Sequence, residues 1–257
     1  MVNILISGYY GFDNIGDESI LRTLVSSLRE HIPDCSLTVL SHNPASTREK
    51  YGVEAVDRMS PMAILRAVKK CDMLISGGGS LLQDVTSSKS LHYYLSIIRC
   101  AEFFHKKVFI YSQGIGPIDR PGNRRAAAAA LKRADGIVVR DERSAALLEE
   151  IGIARDKVVI TADPVIRMKK PDGDVGAEIL RKAGVSLDGR LTVGWAIRER
   201  DTDSRFVKEL LRSIQMMKDK YNAQSVLIPF HYEEDGEVCR HIAAQLPDDT
   251  AVCLNEK

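Results

Sequence analysis

Short apolar runs that end on glycine and then give way to an amphipathic segment recur along this chain, and that alternation restricts it to an α/β fold. The first instance is the most informative. Residues 4–6 are apolar, glycines follow at 8, 11 and 16, and a helical pattern starts at Asp17. A strand, a glycine loop and a helix start, in that order, is the arrangement with which open α/β sheets hold ligands. The glycine spacing is wider than the G-x-G-x-x-G of dinucleotide sites. The loop also carries Asp13, Asn14, Asp17 and Glu18. Carboxylates beside a helix N-terminus repel a bare pyrophosphate and suit hydroxyl groups, as on a sugar. The alternative is a turn with helix caps.

The alternation continues to Val165. A helix is expected over 17–31, with Ile20, Leu21, Leu24, Val25 and Leu28 on one face. Strands are expected at 37–40, 53–56, 73–76, 108–112, 137–139 and 158–160. Ser60-Pro61 opens a helix to Lys70; others carry Leu91, Leu95 and Ile98, span the alanine run at 126–130, or start at the N-cap Asp141 and close at Gly152. Residues 167–176 are charged and carry Pro171, Gly173 and Gly176, which marks a linker. A second unit follows, with strands at 191–197, 225–230 and 251–254 and helices at 205–221 and 235–246. The expected fold is thus α/β, with Rossmann-like domains at 1–166 and 177–257. Parallel sheets are normally covered on both faces, so a three-stranded second sheet suggests that this domain is incomplete within these residues.

A chain of 257 residues holds one large domain or two small ones. The formal net charge of +1 gives no global pull toward nucleic acid. No apolar run approaches the ~20 residues of a membrane span. The N-terminus enters a strand directly, so no signal peptide is expected. The five cysteines are scattered without C-x-x-C spacing, which fits reduced thiols in the cytoplasm; the six histidines form no H-x-x-x-H pair, so no metal site is expected.

In a doubly wound sheet the strand C-termini share one edge, so Gly8, Gly77-Gly78-Gly79 and Gly114 to Gly116 should line one cleft. Glycine there lets backbone N–H groups approach a ligand. Ser80 reads either as a ligand contact or as a helix N-cap. Gln83, Asp84 and Gln113 can hydrogen-bond sugar hydroxyls or pair loop backbone. Arg140 ends an apolar strand before Asp141 and can take a carboxylate or phosphate bidentately, or pair with Asp141, Glu142 or a neighbouring loop. In the second domain, Arg198 and Arg200 end one strand and His231 the next. Arg198 reads as an anion contact or a solvated side chain, and His231 as a proton donor or a loop contact. Arg120, Arg124, Arg125, Lys132 and Arg133 flank the alanine-rich helix, as a solvated face or one that meets an anionic surface.

Five stretches taken together resemble the polysaccharide pyruvyl transferase family, CsaB type: SGYYGFDNIGDESIL (7–21), ISGGGSLLQDVTS (75–87), YSQGIGPI (111–118), VVRDERS (138–144) and TADPV (161–165). They cover the first domain in order. AIRER (196–200) and LIPFHYEEDGEV (227–238) are weaker counterparts in the second. The resemblance implies a fold like the two-domain glycosyltransferase-B architecture. It implies transfer of a pyruvyl group from phosphoenolpyruvate to two hydroxyls of a sugar as a cyclic ketal, with no cofactor or metal. In the CsaB branch the acceptor is N-acetylmannosamine of a lipid-linked cell-wall polymer precursor at the inner face of the membrane, and the product anchors surface-layer proteins. Arg140 matches the family's arginine, with Arg198 as a second candidate. Asp13, Asn14, Asp17, Gln83 and Asp84 would orient hydroxyls, beside Gly77, Gly78, Gly79, Ser80, Gln113 and Gly114. The family's catalytic histidine lies in an Arg-Leu-His segment that this sequence does not contain, and His231 does not match it. The general acid is therefore unassigned, and no turnover is expected of these residues alone. The rival readings are a glycosyltransferase of the same architecture using a nucleotide sugar, and a non-catalytic sugar-binding module.

Overall fold

The computed structural model describes residues 1–85, 87–170, 174–199, 201–231, 234–247 and 251–254. Pro171 and Gly173 of the expected linker, Thr86, Arg200, and Tyr232 and Glu233 of the late motif lie outside the described residues. The chain divides into two compact units, Met1–Met168 and Lys169–Lys257.

In chain order the first unit contains β1 (Val2–Tyr10), α1 (Ile15–His31), β2 (Cys35–Ser41), α2 (Pro44–Tyr51), β3 (Glu54–Asp57), α3 (Pro61–Lys70) and β4 (Met73–Gly77). There follow α4 (Ser88–Phe103), β5 (Lys107–Gln113), α5 (Pro121–Leu131), β6 (Gly136–Val139), α6 (Glu142–Glu150) and β7 (Val158–Ile160). The strands form one parallel sheet of order β3-β2-β1-β4-β5-β6-β7. Alternate side chains of β1 go to opposite faces. Ile4 and Ile6 pack with Leu21, Leu24 and Val25 of α1, whereas Leu5 joins Leu91, Leu95 and Ile98 of α4 in the larger core. Helices on both faces are why β1 reads as a continuous apolar run.

Three local features differ from the sequence expectation. Strand β1 runs through Gly8 to Tyr10, with a register shift against β2 between Ser7 and Tyr10. Helix α1 begins at Ile15, before Asp17, because the Asn14 side chain accepts from Asp17 N–H at 3.1 Å. Helix α2 was not foreseen; its sequence, PASTREKY, has no apolar stripe, and it is fixed instead by Pro44 in the first turn and the Asn43 cap.

The second unit contains α7 (Val175–Lys182), β8 (Thr192–Ile197), α8 (Arg205–Tyr221), β9 (Gln224–Pro229), α9 (Glu234–Ala244) and β10 (Ala251–Cys253). Its parallel sheet has the order β10-β9-β8. Helix α7 starts inside the charged stretch expected to be linker. Ile197, Leu227, Val207, Ile214, Val238 and Ile242 form the core. Gln224 stitches the unit's start to β8: its carbonyl accepts from Ser186 N–H at 3.2 Å, and its amide donates to Thr192 Oγ1 at 2.8 Å and to the Ser186 carbonyl. Among the described residues no helix is long and apolar enough to cross a membrane.

Candidate functional site

The strand order of the first unit reverses between β1 and β4, so the loops after these two strands diverge at the C-terminal edge and leave a crevice. The β1 loop is pinned from several sides. Gly11 has φ +81°, and a Cβ there would lie 2.2 Å from Ser41 Oγ, so only glycine fits. Gly11 N–H donates to Glu18 Oε1 at 2.8 Å, and Tyr51 OH donates to Glu18 Oε2 at 2.5 Å. Burial, followed by that bond to Glu18, pushes the Tyr51 phenol up. Asn14 is spent on the helix cap. Asp13, with φ +56°, ion-pairs with Lys50 at 2.8 Å while its side chain stays 56% exposed. Asp17 faces the other side of the crevice: a Cβ on Gly79 would lie 2.8 Å from its Oδ1.

The glycine loops after β4 and β5 are laced together. Gly114 N–H donates to Gly79 O at 2.9 Å, Gly116 N–H to Leu82 O at 2.8 Å, and Asp84 N–H to Pro117 O at 3.0 Å. Gly78 N–H goes to Tyr111 O at 3.0 Å. The N–H groups of Gly78 and Gly114, expected to approach a ligand, are therefore engaged within the chain. Here the missing side chains serve close packing. A Cβ on Gly77 would lie 2.7 Å from Tyr10 OH, one on Gly78 2.2 Å from Ile20 Cγ2, and one on Gly114 2.9 Å from both Ser80 Oγ and Arg140 Nη2.

Arg140 follows β6 and reaches back over this shelf. Its Nη1 donates to Asp163 Oδ2 at 2.8 Å, its Nη2 donates to Ser80 Oγ at 2.9 Å, and its Nε lies 3.9 Å from Asp141 Oδ2. The side chain is 30% exposed. A guanidinium has five N–H donors, so the two hydrogen bonds leave donors free for an incoming carboxylate or phosphate. The ion-pair alternative read from sequence is thus realised chiefly with Asp163, beyond β7. Asp141 caps α6 through Ser144, whose N–H and OH both lie 2.8 Å from its Oδ1; although partial burial opposes this, those bonds hold the carboxyl below its usual range. Ser144 Oγ accepts from Ile115 N–H at 2.8 Å, which fastens the β5 loop to α6.

The structure separates the remaining residues read from sequence. Ser80 does not cap α4, a role taken by Ser87, and is exposed against Arg140. Asp84 is 8% exposed and turned into the chain: it accepts from Asp119 N–H at 2.9 Å, Arg120 N–H at 3.1 Å and Asn123 Nδ2 at 2.7 Å. The bond from Asp119, aided by Asn123 and Arg120, holds its carboxyl below the usual range. It builds the loop before α5 and is not presented to a sugar, which corrects the role expected for it. Gln113 is fully buried and donates to Ser76 O at 2.9 Å and Ser76 Oγ at 2.8 Å, with its Oε1 left without a partner; it too is no surface contact. Gln83 is half-buried in the β4 loop. In the second unit Arg198 is exposed just after β8, and His231 donates its backbone N–H to Asp235 Oδ2 at 2.6 Å at the start of α9.

One constellation at the same edge of the first unit escaped the sequence reading. Arg58, just after β3, is 6% exposed. Its Nη1 donates to Gly8 O at 3.0 Å and its Nη2 to Tyr94 OH at 3.2 Å, while Tyr93 OH donates to Arg58 O at 3.0 Å. The rings of Tyr93, Phe12, Tyr94 and Tyr9 stand 4.8, 5.1, 5.5 and 5.6 Å from the guanidinium carbon. Phe12 is itself stacked between Tyr9, at 4.1 Å and 6°, and His42, at 4.4 Å and 5°. The partners come from three separate segments, 8–12, 42 and 93–94, so no local spacing signals them; only the aromatic pairs Tyr9-Tyr10 and Tyr93-Tyr94 were there to be noticed.

A family model described as polysaccharide pyruvyl transferase matches residues 14–254. The amylovoran biosynthesis protein AmsJ of Erwinia amylovora is 24% identical over 239 residues, a match covering 77% of this chain and 57% of that protein. The chain thus spans little more than half the length of this curated relative. Among solved structures, the UDP complex of MnaA from S. aureus superposes with TM-score 0.65 at 12% identity, covering 100% of this chain and 69% of that one. The UDP-GlcNAc 2-epimerase of Neisseria meningitidis bound to UDP-GlcNAc gives 0.64 at 14%, covering 100% and 73%. Anabaena Alr3699/HepE with UDP-glucose gives 0.63 at 11%, covering 99% and 69%. At these identities the likeness is one of fold: α/β, with Rossmann-like units as in glycosyltransferase-B proteins.

Proposed function

The chain belongs to the polysaccharide pyruvyl transferase family, and from that membership we propose that it takes part in moving the pyruvyl group of phosphoenolpyruvate onto a sugar of a cell-surface polysaccharide precursor. The observation that carries the reading is Arg140: a partly exposed guanidinium with unused donors, held by Ser80 and Asp163 at a sheet edge whose switch point carries Asp17. Phosphoenolpyruvate bears a carboxylate and a phosphate, and a planar guanidinium suits either. In the reaction a proton adds to the methylene carbon, which becomes the methyl group. One sugar hydroxyl adds to C2 and loses its proton, the C2–O bond to phosphate breaks and inorganic phosphate departs. The second hydroxyl then closes the ketal and loses its own proton. Arg140 would hold the donor anion and Asp17 a hydroxyl. Arg198 is proposed as a second anion contact. The acceptor proposed is N-acetylmannosamine of a lipid-linked precursor, met at the inner face of the membrane by a cytoplasmic protein. No metal or cofactor is part of this scheme.

The test is phosphate release from phosphoenolpyruvate by the full-length protein, with and without a ManNAc-GlcNAc-diphosphate-lipid mimic. Acceptor-dependent release that falls by about a hundredfold or more in Arg140→Ala supports the reading. Absence of release together with turnover of a UDP-sugar replaces it with the glycosyltransferase reading.

A further inference from the structure

We propose that the stacked rings of Tyr9, Phe12 and His42 form the platform that recognises the sugar unit next to the one that receives the pyruvyl group. This rests on the function proposed above.

The three rings are nearly parallel, with centroid separations of 4.1 and 4.4 Å. Such a stack in a core would need no explanation, but this one lies at the surface: Tyr9 is 37% exposed and His42 is exposed. Its rigidity comes from below. The buried Arg58 guanidinium sits 5.6 Å from the Tyr9 centroid and 5.1 Å from that of Phe12, and is tied to the Gly8 carbonyl and Tyr94 hydroxyl. The rings are thus positioned before any ligand arrives, which lowers the entropy that binding must overcome. Both faces of Phe12 are covered, so an incoming molecule meets the outer rings. A pyranose has one face of C–H groups and a rim of hydroxyls. The face suits an aromatic ring, and the rim would meet the exposed Asp13–Lys50 pair of the same loop region.

Position decides which sugar unit this is. His42 follows β2, and Asp17 meets Gly79 beyond β4. Two strand spacings separate those strand ends, about 10 Å, which is more than one pyranose spans. Arg140 is anchored after β6 but reaches back to Ser80 Oγ at 2.9 Å, next to Gly79, so the donor it would hold lies on the Asp17 side of the crevice. A sugar whose hydroxyls react near Asp17 therefore leaves its neighbour over the platform, and the platform does not reach the donor.

The experiment compares phosphate release by the full-length protein with the methyl glycosides of ManNAc and of ManNAc-GlcNAc. The disaccharide should be preferred in kcat/KM, and His42→Ala should narrow that preference by about tenfold, with the KM for phosphoenolpyruvate changed by less than about twofold. His42 is exposed, so its truncation spares the fold; Tyr9→Ala should act in the same direction. No preference for the disaccharide, or a preference that both variants leave intact, overturns the proposal. Saturation-transfer NMR with the disaccharide alone separates the two levels of the argument. Transfer onto the GlcNAc protons that disappears in His42→Ala supports the platform even where no turnover is found, and then only the pyruvyl reading fails. Absence of that transfer, or its displacement by UDP, overturns the platform and, in the second case, assigns the rings to a nucleobase.

Discussion

Gly78→Ala tests how closely α1 must approach the sheet for the crevice to exist. A Cβ at this position would lie 2.2 Å from Ile20 Cγ2, 3.1 Å from Cδ1 and 3.2 Å from Cβ. Ile20 is 4% exposed in the first turns of α1. Gly78 is not among the glycines with positive φ, so alanine by itself would stabilise by about 0.4–1 kcal/mol through the unfolded chain. Against that stands overpacking, about 1–3 kcal/mol. The contact with Ile20 Cβ means that a side-chain rotation alone does not clear the clash, which places the cost near the upper end. The net expectation is a loss of about 2 kcal/mol. In an Ile20→Ala background Cγ2 and Cδ1 are gone, the new methyl enters the cavity, and the 3.2 Å approach to Cβ that remains is offset by the gain through the unfolded chain. There Gly78→Ala should cost close to nothing, which gives a coupling of about 2 kcal/mol on top of the roughly 2–5 kcal/mol of Ile20→Ala itself. The single tryptophan, Trp195, belongs to the second unit, so its fluorescence would miss the effect. Far-UV circular dichroism during denaturation, with hydrogen exchange at the α1 amides, reads the first unit without assuming that both units unfold together. A neutral Gly78→Ala, or an equal cost in both backgrounds, refutes the close-packing account. Because α1 carries Asp17, the same variant should also lower kcat/KM for the acceptor more than for phosphoenolpyruvate.

Asp84→Ala removes the acceptor for three donors at a buried position and should destabilise the first unit by about 3 kcal/mol, read as a fall in the denaturation midpoint; an unchanged midpoint contradicts its structural role. The folded-state pKa values of Asp84, Asp141 and Asp135, the last of which precedes β6 and accepts from Lys107 Nζ at 2.7 Å and Val108 N–H at 2.9 Å, are depressed by their hydrogen bonds, so their stabilisation is present above the unfolded carboxylate pKa of about 4 and is lost as pH falls through the lower folded values. Stability measured against pH should therefore drop on the acid side, and Asp84→Asn should flatten that drop. Gly79→Ala forces a Cβ into a φ of +77° and to 2.8 Å from Asp17 Oδ1; it should cost about 1–2 kcal/mol and raise the acceptor KM, and a variant with wild-type kinetics would show that Asp17 need not face that loop.

The strands were legible because each is built around a short apolar run, several of which close on a glycine, a serine or a proline. Residues 158–160 and 205–221 coincide with β7 and α8. The elements that escaped are those not held by an apolar stripe. Helix α2 buries only Thr47 and its last residue, Tyr51, and depends on its cap, and α7 begins in a charged segment. At the candidate site the sequence supplies residue types but not their directions. Asp84 and Asp17 look alike in the chain, each an acidic residue beside a glycine loop. One turns inward because the backbone N–H groups of Asp119 and Arg120 converge on it, and the other lies against Gly79. Arg58 was invisible for the same reason: what buries it is a set of rings contributed by the ends of β1 and by α4.

Arg58 and Arg140 stand at the same sheet edge and are built for opposite ends. Arg58 is 6% exposed and takes neutral acceptors, a carbonyl and a phenol, under a cover of aromatic rings. An anion could reach it only by dismantling the stack of Tyr9 and Phe12, so its charge acts as a fixed anchor for the β1 loop. Arg140 keeps 30% of its side chain exposed, and its strongest partner, Asp163, is itself 40% exposed. An exposed ion pair contributes little on its own, of order 1 kcal/mol or less. A donor carrying a carboxylate and a phosphate can therefore displace or join Asp163 at small cost, while Ser80 keeps the guanidinium aligned. The prediction that separates the two arginines is their response to salt and to anions. Inorganic phosphate should compete with phosphoenolpyruvate and should protect an arginine-directed dicarbonyl reagent's target at Arg140. Arg58 should stay unmodified with or without phosphate. Modification of Arg58 in the folded protein, or phosphate-insensitive modification of Arg140, would reverse the assignment.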